Sequence, residues 1–468
     1  MKILCISPKA TIGGLEALHS GNQLIQGIIY VAAAAKRAGH EAQVDFGGLD
    51  DIADKIDQFK PDIVGLSCVT ATYPMTRDII RKIKPLFPDV KTIIGGHHAT
   101  FMYREVIDES GVDYVCRGEG EEVFPLLLEA LSQGDPHPAI PGIVFKKDGL
   151  FHNDQAIAIL DDLDKIPLCT PDLLAPGLKF SPKLVSSRGC PFKCSFCSIS
   201  AFYNGKYRQR KVEDVIADVE RFVGWGYDNF WFHDDTLTAD LRWVREFCNQ
   251  VIERGFGITW NCMSRVDTIC RDPELVALMA KAGCRLISIG VESGIPEIIE
   301  RMHKKIDHDQ IRQAIRILNN TNISHNWFMI IGSGDEFDTP EYIKMNIKFF
   351  CSFKFGLVLV SVLTPFPGTE IFEKLRAENR ILHYDWEKYD ITHCVYQPLG
   401  MSPRELESYL KKAYFRIYLS MGLRIIPVIR HAIRSGAVSR EKISRIIRIF
   451  WHTYILRKSF DQAISKRD

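Results

Sequence analysis

Short apolar runs alternate with amphipathic, helix-like segments over the first 140 residues of the chain. This alternation predicts an α/β fold built on a doubly wound parallel sheet. The apolar runs predict strands at Lys2–Ser7, Glu41–Phe46, Asp62–Ser67, Thr92–Gly95 and Tyr114–Arg117. Helical periodicity is found at Gln23–Ala38, Met75–Phe87 and Glu121–Ser132. Sheets of this class bind ligands outside the carboxyl ends of their strands.

The same alternation starts again near residue 181, after a proline-punctuated connector over residues 141–180 that contains a short predicted hairpin. The second series predicts strands at Leu184–Ser187, Asn229–Phe232, Gly257–Cys262, Leu286–Gly290, Trp327–Ile331 and Leu357–Leu363. The helical segments between and after them are Val212–Gly224, Leu241–Arg254, Pro273–Lys281, His308–Asn319 and Thr339–Phe353. Six successive βα units predict a partial TIM-type barrel over 181–385, followed by a helical cap over 386–468.

Composition narrows the class of protein. A chain of 468 residues exceeds the size of a single hydrophobic core, so two or three domains are expected. A net charge of +1 argues against a nucleic-acid partner. Thirteen cysteines are too sparse for a disulfide scaffold, and the residues after Met1 resemble a strand rather than a signal peptide, so we expect the reducing cytoplasm. No apolar run is long enough to predict a transmembrane helix.

Cys190, Cys194 and Cys197 form a C-x3-C-x2-C trio after the first barrel strand. A 4Fe-4S cluster normally takes four thiolates, so three thiolates leave one iron open. A zinc site or three unrelated thiols is the alternative, but structural zinc favours paired C-x2-C units. The trio resembles the cluster motif of the radical S-adenosylmethionine (SAM) superfamily. That resemblance implies that the three cysteines hold the cluster, that SAM binds the open iron, and that reductive cleavage yields a 5′-deoxyadenosyl radical.

Polar and small residues follow the remaining barrel strands, where barrel chemistry is located. These candidates for SAM binding are Asp234, Asp235, Arg265, Glu292, Ser293, Gly332 and Gly334. The carboxylates can accept hydrogen bonds from the amine or ribose diol of SAM, and Arg265 can pair with its carboxylate. The glycines would leave room for adenine. Ordinary turn or capping chemistry is the alternative for any single position.

Small and polar residues also follow the strands of the first sheet, namely Ser67, Thr70, Gly95, Gly96, His97, Gly118 and Glu119. With their flanking residues they resemble the cobalamin-binding domain fused to many radical SAM enzymes. The barrel strand ends listed above resemble most closely the cobalamin-fused subgroup that includes magnesium-protoporphyrin monomethyl ester cyclase and hopanoid methylases. Other cobalamin modules carry an Asp-x-His-x-x-Gly loop after the first strand. Residues 8–14 contain no histidine here. The resemblance therefore implies cobalamin without a lower histidine ligand, and we favour His97 as a packing residue over His97 as a cobalt ligand.

These features predict an enzyme that methylates an unactivated carbon through methylcobalamin. Oxidative cyclisation or rearrangement without methyl transfer is one alternative, and a non-catalytic cobalamin or redox sensor is another. Cys5, Cys68 and Cys116 raise a third, a methylthiotransferase with a second cluster, although the flanking motifs of that family are absent. The predicted partners are a small-molecule or lipid-like substrate and an electron donor such as flavodoxin or ferredoxin.

Basic residues interleave with large apolar ones over Leu423–Leu456. This composition is typical of a helix that lies in a membrane interface. A helix packed on the barrel with a solvated basic face is the alternative. The interfacial interpretation predicts peripheral contact with the inner face of the membrane and a hydrophobic substrate.

Overall fold

The computed structural model describes residues 1–8, 26–353 and 356–422. The strands in these ranges are β1 (Lys2–Pro8), β2 (Glu41–Gly47), β3 (Ile63–Ser67), β4 (Lys91–Gly95), β5 (Tyr114–Cys116), β6 (Ile143–Lys147), β7 (Leu150–His152), β8 (Lys183–Leu184), β9 (Ser187–Arg188), β10 (Arg208–Gln209), β11 (Asn229–Phe232), β12 (Thr259–Arg265), β13 (Cys284–Glu292), β14 (Ser324–Ile331) and β15 (Leu357–Val362). The helices are α1 (Gln26–Arg37), α2 (Ile52–Phe59), α3 (Tyr73–Leu86), α4 (His97–Phe101), α5 (Tyr103–Ser110), α6 (Gly120–Ser132), α7 (Ser198–Phe202), α8 (Val212–Gly224), α9 (Leu241–Glu253), α10 (Val266–Arg271), α11 (Pro273–Lys281), α12 (Pro296–Arg301), α13 (His308–Asn319), α14 (Pro340–Cys351), α15 (Glu370–Ala377) and α16 (Pro403–Met421).

The N-terminal sheet has the strand order β2-β1-β3-β4-β5-β6-β7, and its first five strands are parallel. The predicted doubly wound sheet is therefore confirmed. Its strands are apolar on both faces because helices cover both sides. The order reverses between β1 and β3, and the crevice at such a reversal is where these sheets bind ligands.

The connector completes the N-terminal core. Its predicted hairpin is β6 and β7, which extends the sheet by antiparallel pairing. Leu160, Leu163 and Ile166 are buried in the same core cluster as Ile3. The sequence suggests a connector with no core of its own, and the structure shows that its apolar side chains belong to the preceding sheet.

The second sheet contains six parallel strands in the order β8-β11-β12-β13-β14-β15, which confirms the partial barrel. Helices α8, α11 and α13 begin and end at the predicted residues. Local caps fix the starts of two of them. Asp272 caps Leu275 ahead of α11, and Asp307 forms a capping box with Gln310 in α13.

The first barrel strand is shorter than predicted. The predicted strand Leu184–Ser187 is divided into β8, which pairs with β11, and β9, which pairs antiparallel with β10. The backbone amide of Ser186 donates to Asp234 Oδ2 at 3.1 Å instead of continuing the ladder. This hydrogen bond explains why the strand ends early and why the following residues turn toward the cysteines.

Residues after the last strand join the two sheets. Trp386, Tyr389 and Val395 lie in the apolar cluster of the N-terminal sheet, whereas Tyr396 lies in the barrel core. The side chains of residues 386–398 are therefore divided between the two units. No helix in the described ranges is long and apolar enough to cross a membrane. The predicted interfacial segment Leu423–Leu456 lies outside the described residues.

His98 lies at this junction, and its burial leads to a prediction about how the stability of the protein depends on pH. Its ring stacks on Tyr73 at 4.5 Å and meets Trp386 edge-on at 4.8 Å, and neither ring nitrogen has a hydrogen-bond partner. Burial lowers the pKa of His98 to about 3. In the unfolded chain this histidine takes up a proton below about pH 6.5, but the folded chain does not until near pH 3. Stability should therefore fall by about 1.4 kcal/mol per pH unit below pH 6.5 from this residue alone.

His98→Phe keeps an aromatic ring in place and removes the titration. We expect its urea unfolding free energy to fall by about 2 kcal/mol less than that of the wild type between pH 6.5 and pH 5. The same substitution at the exposed His152 controls for the loss of a histidine. Parallel pH profiles for wild type and His98→Phe would contradict the prediction.

Candidate active site

A cavity of about 410 Å³ lies between the carboxyl ends of the N-terminal sheet and the start of the barrel. The predicted residues on its N-terminal side are Ser67, Gly95, Gly96, His97, Gly118 and Glu119. The barrel side contributes Ser187, Arg188, Phe202, Tyr203, His233 and Asp235. Strand ends from two separate sheets therefore form one ligand-sized space.

Two glycines shape the N-terminal wall of the cavity. Gly96 has φ +101°, and a Cβ there would lie 2.4 Å from the carbonyl oxygen of Cys68. Gly118 has φ +98°, and a Cβ there would lie 2.2 Å from the carbonyl oxygen of Ala158. Only glycine fits these positions, because both the dihedral and the space exclude a side chain. The strand ends consequently present bare backbone to the cavity.

His97 brings an unpaired nitrogen to the cavity wall. Its ring stacks on Phe202 at 4.1 Å and an interplanar angle of 20°, and its Nε2 is buried without a hydrogen-bond partner. Burial and the neighbouring His233 lower the pKa of His97 to about 4, so the ring is neutral. A buried polar atom without a partner is rare in folded proteins, and a bound ligand would satisfy it.

The cysteine loop runs from β9 to α7. Gly189 opens it with φ +86°, and a Cβ there would lie 2.0 Å from the carbonyl oxygen of Lys206. Cys190, Cys194 and Cys197 are all partly exposed, and burial raises the pKa of Cys197 to about 12. No three His, Cys, Asp or Glu side chains in the described ranges are placed to hold a single metal ion. A 4Fe-4S cluster does not need three ligands around one ion, because each thiolate binds a different iron atom.

Two cations lie against the aromatic residues of this loop. The Arg265 guanidinium carbon lies 3.6 Å from the centroid of the Phe192 ring, and Arg265 Nη1 lies 3.9 Å from Cys194 Sγ. Lys304 Nζ lies 5.8 Å from the centroid of the Phe196 ring. Positive charge beside the loop offsets the negative charge of thiolates that bind metal. The loop therefore suits an anionic cluster.

Two family models match the two halves of this site. The B12 binding domain matches residues 25–128, and the radical SAM superfamily matches residues 184–338. The chain is a radical SAM enzyme with a B12-binding domain. These matches confirm the predicted resemblance, and the cavity described above lies where the B12-binding domain meets the radical SAM domain.

Curated relatives align over most of the radical SAM enzyme. An uncharacterized methyltransferase of Pyrococcus horikoshii is 29% identical, with 96% of this chain and 99% of the relative covered. An anaerobic magnesium-protoporphyrin IX monomethyl ester cyclase of Rubrivivax gelatinosus is 28% identical over 98% of this chain and 84% of the relative. The hopanoid C-3 methylase of Methylococcus capsulatus is 27% identical over 84% of this chain and 76% of the relative. These relatives support the predicted enzyme rather than a sensor.

Solved structures show the same fold. The cobalamin-dependent radical SAM enzyme OxsB, with aqua-cobalamin and SAM bound, superposes with a TM-score of 0.72 at 14% identity, over 96% of this chain and 71% of that chain. The methyltransferase TsrM of Kitasatospora setae superposes with a TM-score of 0.67 at 16% identity, over 80% and 78% of the two chains. In both cases the similarity to this chain is one of fold.

The two adjacent aspartates of the radical SAM domain differ in their surroundings. Asp234 is fully buried, and its oxygens accept from the amide and hydroxyl of Ser186 and from the hydroxyl of Ser187. Asp235 lines the cavity and accepts from the amide of Gly189 at 3.2 Å. Burial and the nearby Asp234 raise the pKa of Asp235 to about 7. Asp234 therefore anchors the strand, and Asp235 faces the ligand space.

Glu292 ends β13 in an unusual conformation. Its φ is +67°, the register of β13 against β14 shifts beside it, and Lys304 Nζ donates to Glu292 Oε1 at 2.7 Å. Left-handed backbone at a non-glycine residue stores strain and is concentrated at functional sites. Ser293 is buried, and its hydroxyl accepts from the amide of Ile295. Sequence reasoning missed Lys304, because nothing local in the sequence marks its pairing with Glu292.

The remaining predicted residues lie elsewhere. A Cβ on Gly332 would lie 2.5 Å from the Tyr396 hydroxyl, and one on Gly334 would lie 2.7 Å from Ile371 Cδ1. The space beside both glycines is thus filled by residues after the last strand. Thr70 is buried in a short turn before α3 and is absent from the cavity lining. Their predicted cofactor contacts stay predictions.

Glu119 joins the B12-binding domain to the radical SAM domain. Its carboxylate accepts from Arg188 Nη1 at 2.7 Å, from the amide of Leu160 at 2.7 Å, and from Arg208. Arg188 also donates to Glu121 at 2.6 Å. We name these four residues, Glu119, Glu121, Arg188 and Arg208, the interdomain ion network. Sequence reasoning placed Glu119 against a cofactor and missed Arg188 and Arg208, which lie 69 and 89 residues away.

Cys5, Cys68 and Cys116 all line the same cavity. Burial raises the pKa of each of these thiols to about 12. They are not among any metal-binding group in the described ranges. Their environment is therefore that of small core residues, which weighs against the second cluster of a methylthiotransferase.

Proposed function

We propose that this enzyme uses SAM, a 4Fe-4S cluster and cobalamin to transfer a methyl group to an unactivated carbon of a small-molecule substrate. The observation that carries the proposal is the single cavity shared by the B12-binding strand ends and the segment that bears the cysteines. Methyltransferase and methylase relatives that align over most of the chain support methyl transfer.

In this proposal Cys190, Cys194 and Cys197 bind three irons of the cluster. Arg265 supports them, because its guanidinium is held near Cys194 by Asp267 at 2.9 Å and by the carbonyl oxygen of Lys304 at 2.7 Å. Its fixed positive charge lowers the cost of placing an anionic cluster in a partly buried loop. Glu292 and Asp235 then present carboxylates near the same loop to the polar groups of SAM.

The cavity residues Ser67, Gly95, Gly96, His97 and Gly118 fit a large ligand that approaches the backbone closely. The tight glycine turns expose main-chain atoms, and His97 Nε2 is buried without a hydrogen-bond partner. Cobalamin bound there would supply the methyl group, whereas the cluster and SAM bound at the cysteine loop would supply the radical. The chain itself orients these groups and excludes water from the interdomain space.

Oxidative cyclisation or rearrangement is the second candidate function. The observation that favours it is the cyclase relative, which aligns over 98% of this chain.

We further propose the predicted domain boundaries of 1–140, 141–180, 181–385 and 386–468, with part of the connector packed on the first domain. All thirteen cysteines are free, which supports the proposed cytoplasmic location.

Anaerobic turnover with SAM carrying a deuterated methyl group tests the proposal. Reconstituted enzyme, reductant and cobalamin should yield both 5′-deoxyadenosine and S-adenosylhomocysteine, and the label should appear in the product. A candidate substrate pool can be extracted from cells that lack the enzyme. Product formation with 5′-deoxyadenosine but without S-adenosylhomocysteine or label would favour cyclisation and overturn methyl transfer.

A spectroscopic prediction concerns the axial position of cobalt. Residues 8–14, at and after the end of β1, contain no histidine, and the His97 ring is held by its stack on Phe202. We expect the Co(II) protein to show an electron paramagnetic resonance spectrum without nitrogen superhyperfine splitting. His97→Ala should leave this spectrum unchanged. A triplet in the wild type that disappears in His97→Ala would show that His97 is a cobalt ligand.

A further inference from the structure

A shallow groove of about 390 Å³ lies beside the cysteine loop, on a face separate from the interdomain cavity. Phe192, Arg271 and Lys305 are among its lining residues. Lys193 is exposed and follows Phe192 directly in the chain. The groove thus places two cations beside a half-buried aromatic residue of the loop, and Lys193 adds a third charge next to that residue along the chain.

The positive charge of this groove is not neutralised locally. Asp267, the carboxylate in the groove, is nearly buried and is already shared by Arg265 at 2.9 Å and Arg271 at 3.4 Å. Lys193 and Lys305 have no ion-pair partner within the described ranges. The chain as a whole carries a net charge of only +1, so the excess is local rather than general.

Neighbouring basic side chains outside the groove differ, because each lies beside a carboxylate. Arg301 pairs with Glu336 at 2.6 Å, and His303 lies 3.6 Å from Glu370. Both sit in the segment that passes beneath the loop, where the hydroxyl of Ser195 donates to the carbonyl oxygen of Arg301. The unpaired lysines therefore mark the groove side of the loop.

A short chain of contacts links the groove to a cluster cysteine. The Phe192 ring lines the groove and lies 3.6 Å from the Arg265 guanidinium carbon, and Arg265 Nη1 lies 3.9 Å from Cys194 Sγ. A carrier that docks against the exposed part of Phe192 would thus lie two van der Waals contacts from that sulfur.

We propose that Lys193, Arg271 and Lys305 form a docking surface for an acidic one-electron carrier protein. The carrier loses one electron and the cluster gains it, with no bond formed or broken. Complexes of electron carriers are small and weak, so a few unpaired charges around one aromatic contact suffice to orient them. The inference rests on the proposed role of the three cysteines as cluster ligands.

Anaerobic stopped-flow bleaching of the cluster by reduced flavodoxin tests the surface on the full-length protein. We expect Lys193→Glu/Lys305→Glu to lower the second-order rate constant about tenfold at low salt, because charge reversal removes electrostatic steering. The difference should shrink at high ionic strength, where screening suppresses steering in both proteins. Arg271 is left intact, since it also holds Asp267.

Two controls make the result specific. Lys411→Glu reverses an exposed lysine on α16 and should keep the wild-type rate. Reduced methyl viologen, a small cationic donor, should not reduce the double variant more slowly than the wild type. An unchanged flavodoxin rate in the double variant, or an equal loss with both donors, would overturn the docking surface.

Failure of the proposed function has a different signature in the same assay. Bleaching needs a cluster but no methyl transfer, so a normal wild-type bleaching rate with no methylated product would overturn the function and leave the docking surface standing. A wild-type protein without a bleachable cluster would overturn both, because the inference depends on the cysteine assignment.

Discussion

Changing Cys190, Cys194 or Cys197 to alanine should each abolish the 4Fe-4S cluster and all cleavage of SAM. Three thiolates already leave one iron open, so removing one of the three leaves the cluster with too few anchors. The loop offers no substitute, because the described cysteines outside it are mostly buried in apolar cores. Iron and sulfide content, electron paramagnetic resonance and 5′-deoxyadenosine formation measure the outcome.

Cys270→Ala is the matched control for this series. Cys270 is partly exposed in the radical SAM domain, and its thiol donates to the carbonyl oxygen of Gln310. This variant should retain a normal cluster and SAM cleavage. A full complement of iron and wild-type cleavage in any one loop variant would refute the assignment of that cysteine.

Glu119→Ala should cause the largest loss of stability that we predict for a single polar residue. The Glu119 side chain is 3% exposed and neutralises Arg188 and Arg208, whose side chains are 11% and 9% exposed. Removing one partner of a buried ion pair leaves uncompensated charge and costs about 3–5 kcal/mol. The midpoint of urea unfolding should shift accordingly, and cobalamin affinity should fall because the network joins the two walls of the cavity.

Glu336→Ala provides the comparison for Glu119→Ala. It breaks the Arg301–Glu336 ion pair at 2.6 Å, whose side chains are 52% and 57% exposed. Exposed pairs contribute about 0–1 kcal/mol, so this change should barely move the unfolding midpoint. Similar losses in the two variants would mean that the interdomain ion network is no more important than a surface contact.

Local patterns predicted most of the secondary structure. The ends of α8, α11 and α13 could be predicted from residues close to those ends. The signals are the apolar periodicity and capping side chains such as Asp272 and Asp307. The strand pattern was equally informative, because parallel strands buried on both faces are continuous apolar runs. The early end of β8 was not predictable, since it depends on Asp234, 48 residues further along the chain.

The location of the site was predicted from the sequence, but the role of each residue within it was not. Strand-end logic brought seven of the predicted residues to one cavity. It could not separate Asp234 from Asp235, because neighbouring positions at a strand end point in opposite directions and the facing partners are distant in sequence. The same limit hid Arg188 and Lys304, whose functions depend on which remote carboxylate each one meets.

The contact of residues after the last strand with the N-terminal sheet has a consequence for how the protein is made. Trp386 Nε1 donates to Glu105 at 2.9 Å, across 281 residues of chain. At about 5–20 residues per second, a ribosome needs about 14–56 s to reach Trp386 after completing α5. During that interval the nascent first domain exposes the apolar surface around His98 that the Trp386 ring later covers at 4.8 Å. The B12-binding domain therefore completes its core only after the radical SAM domain has been synthesised.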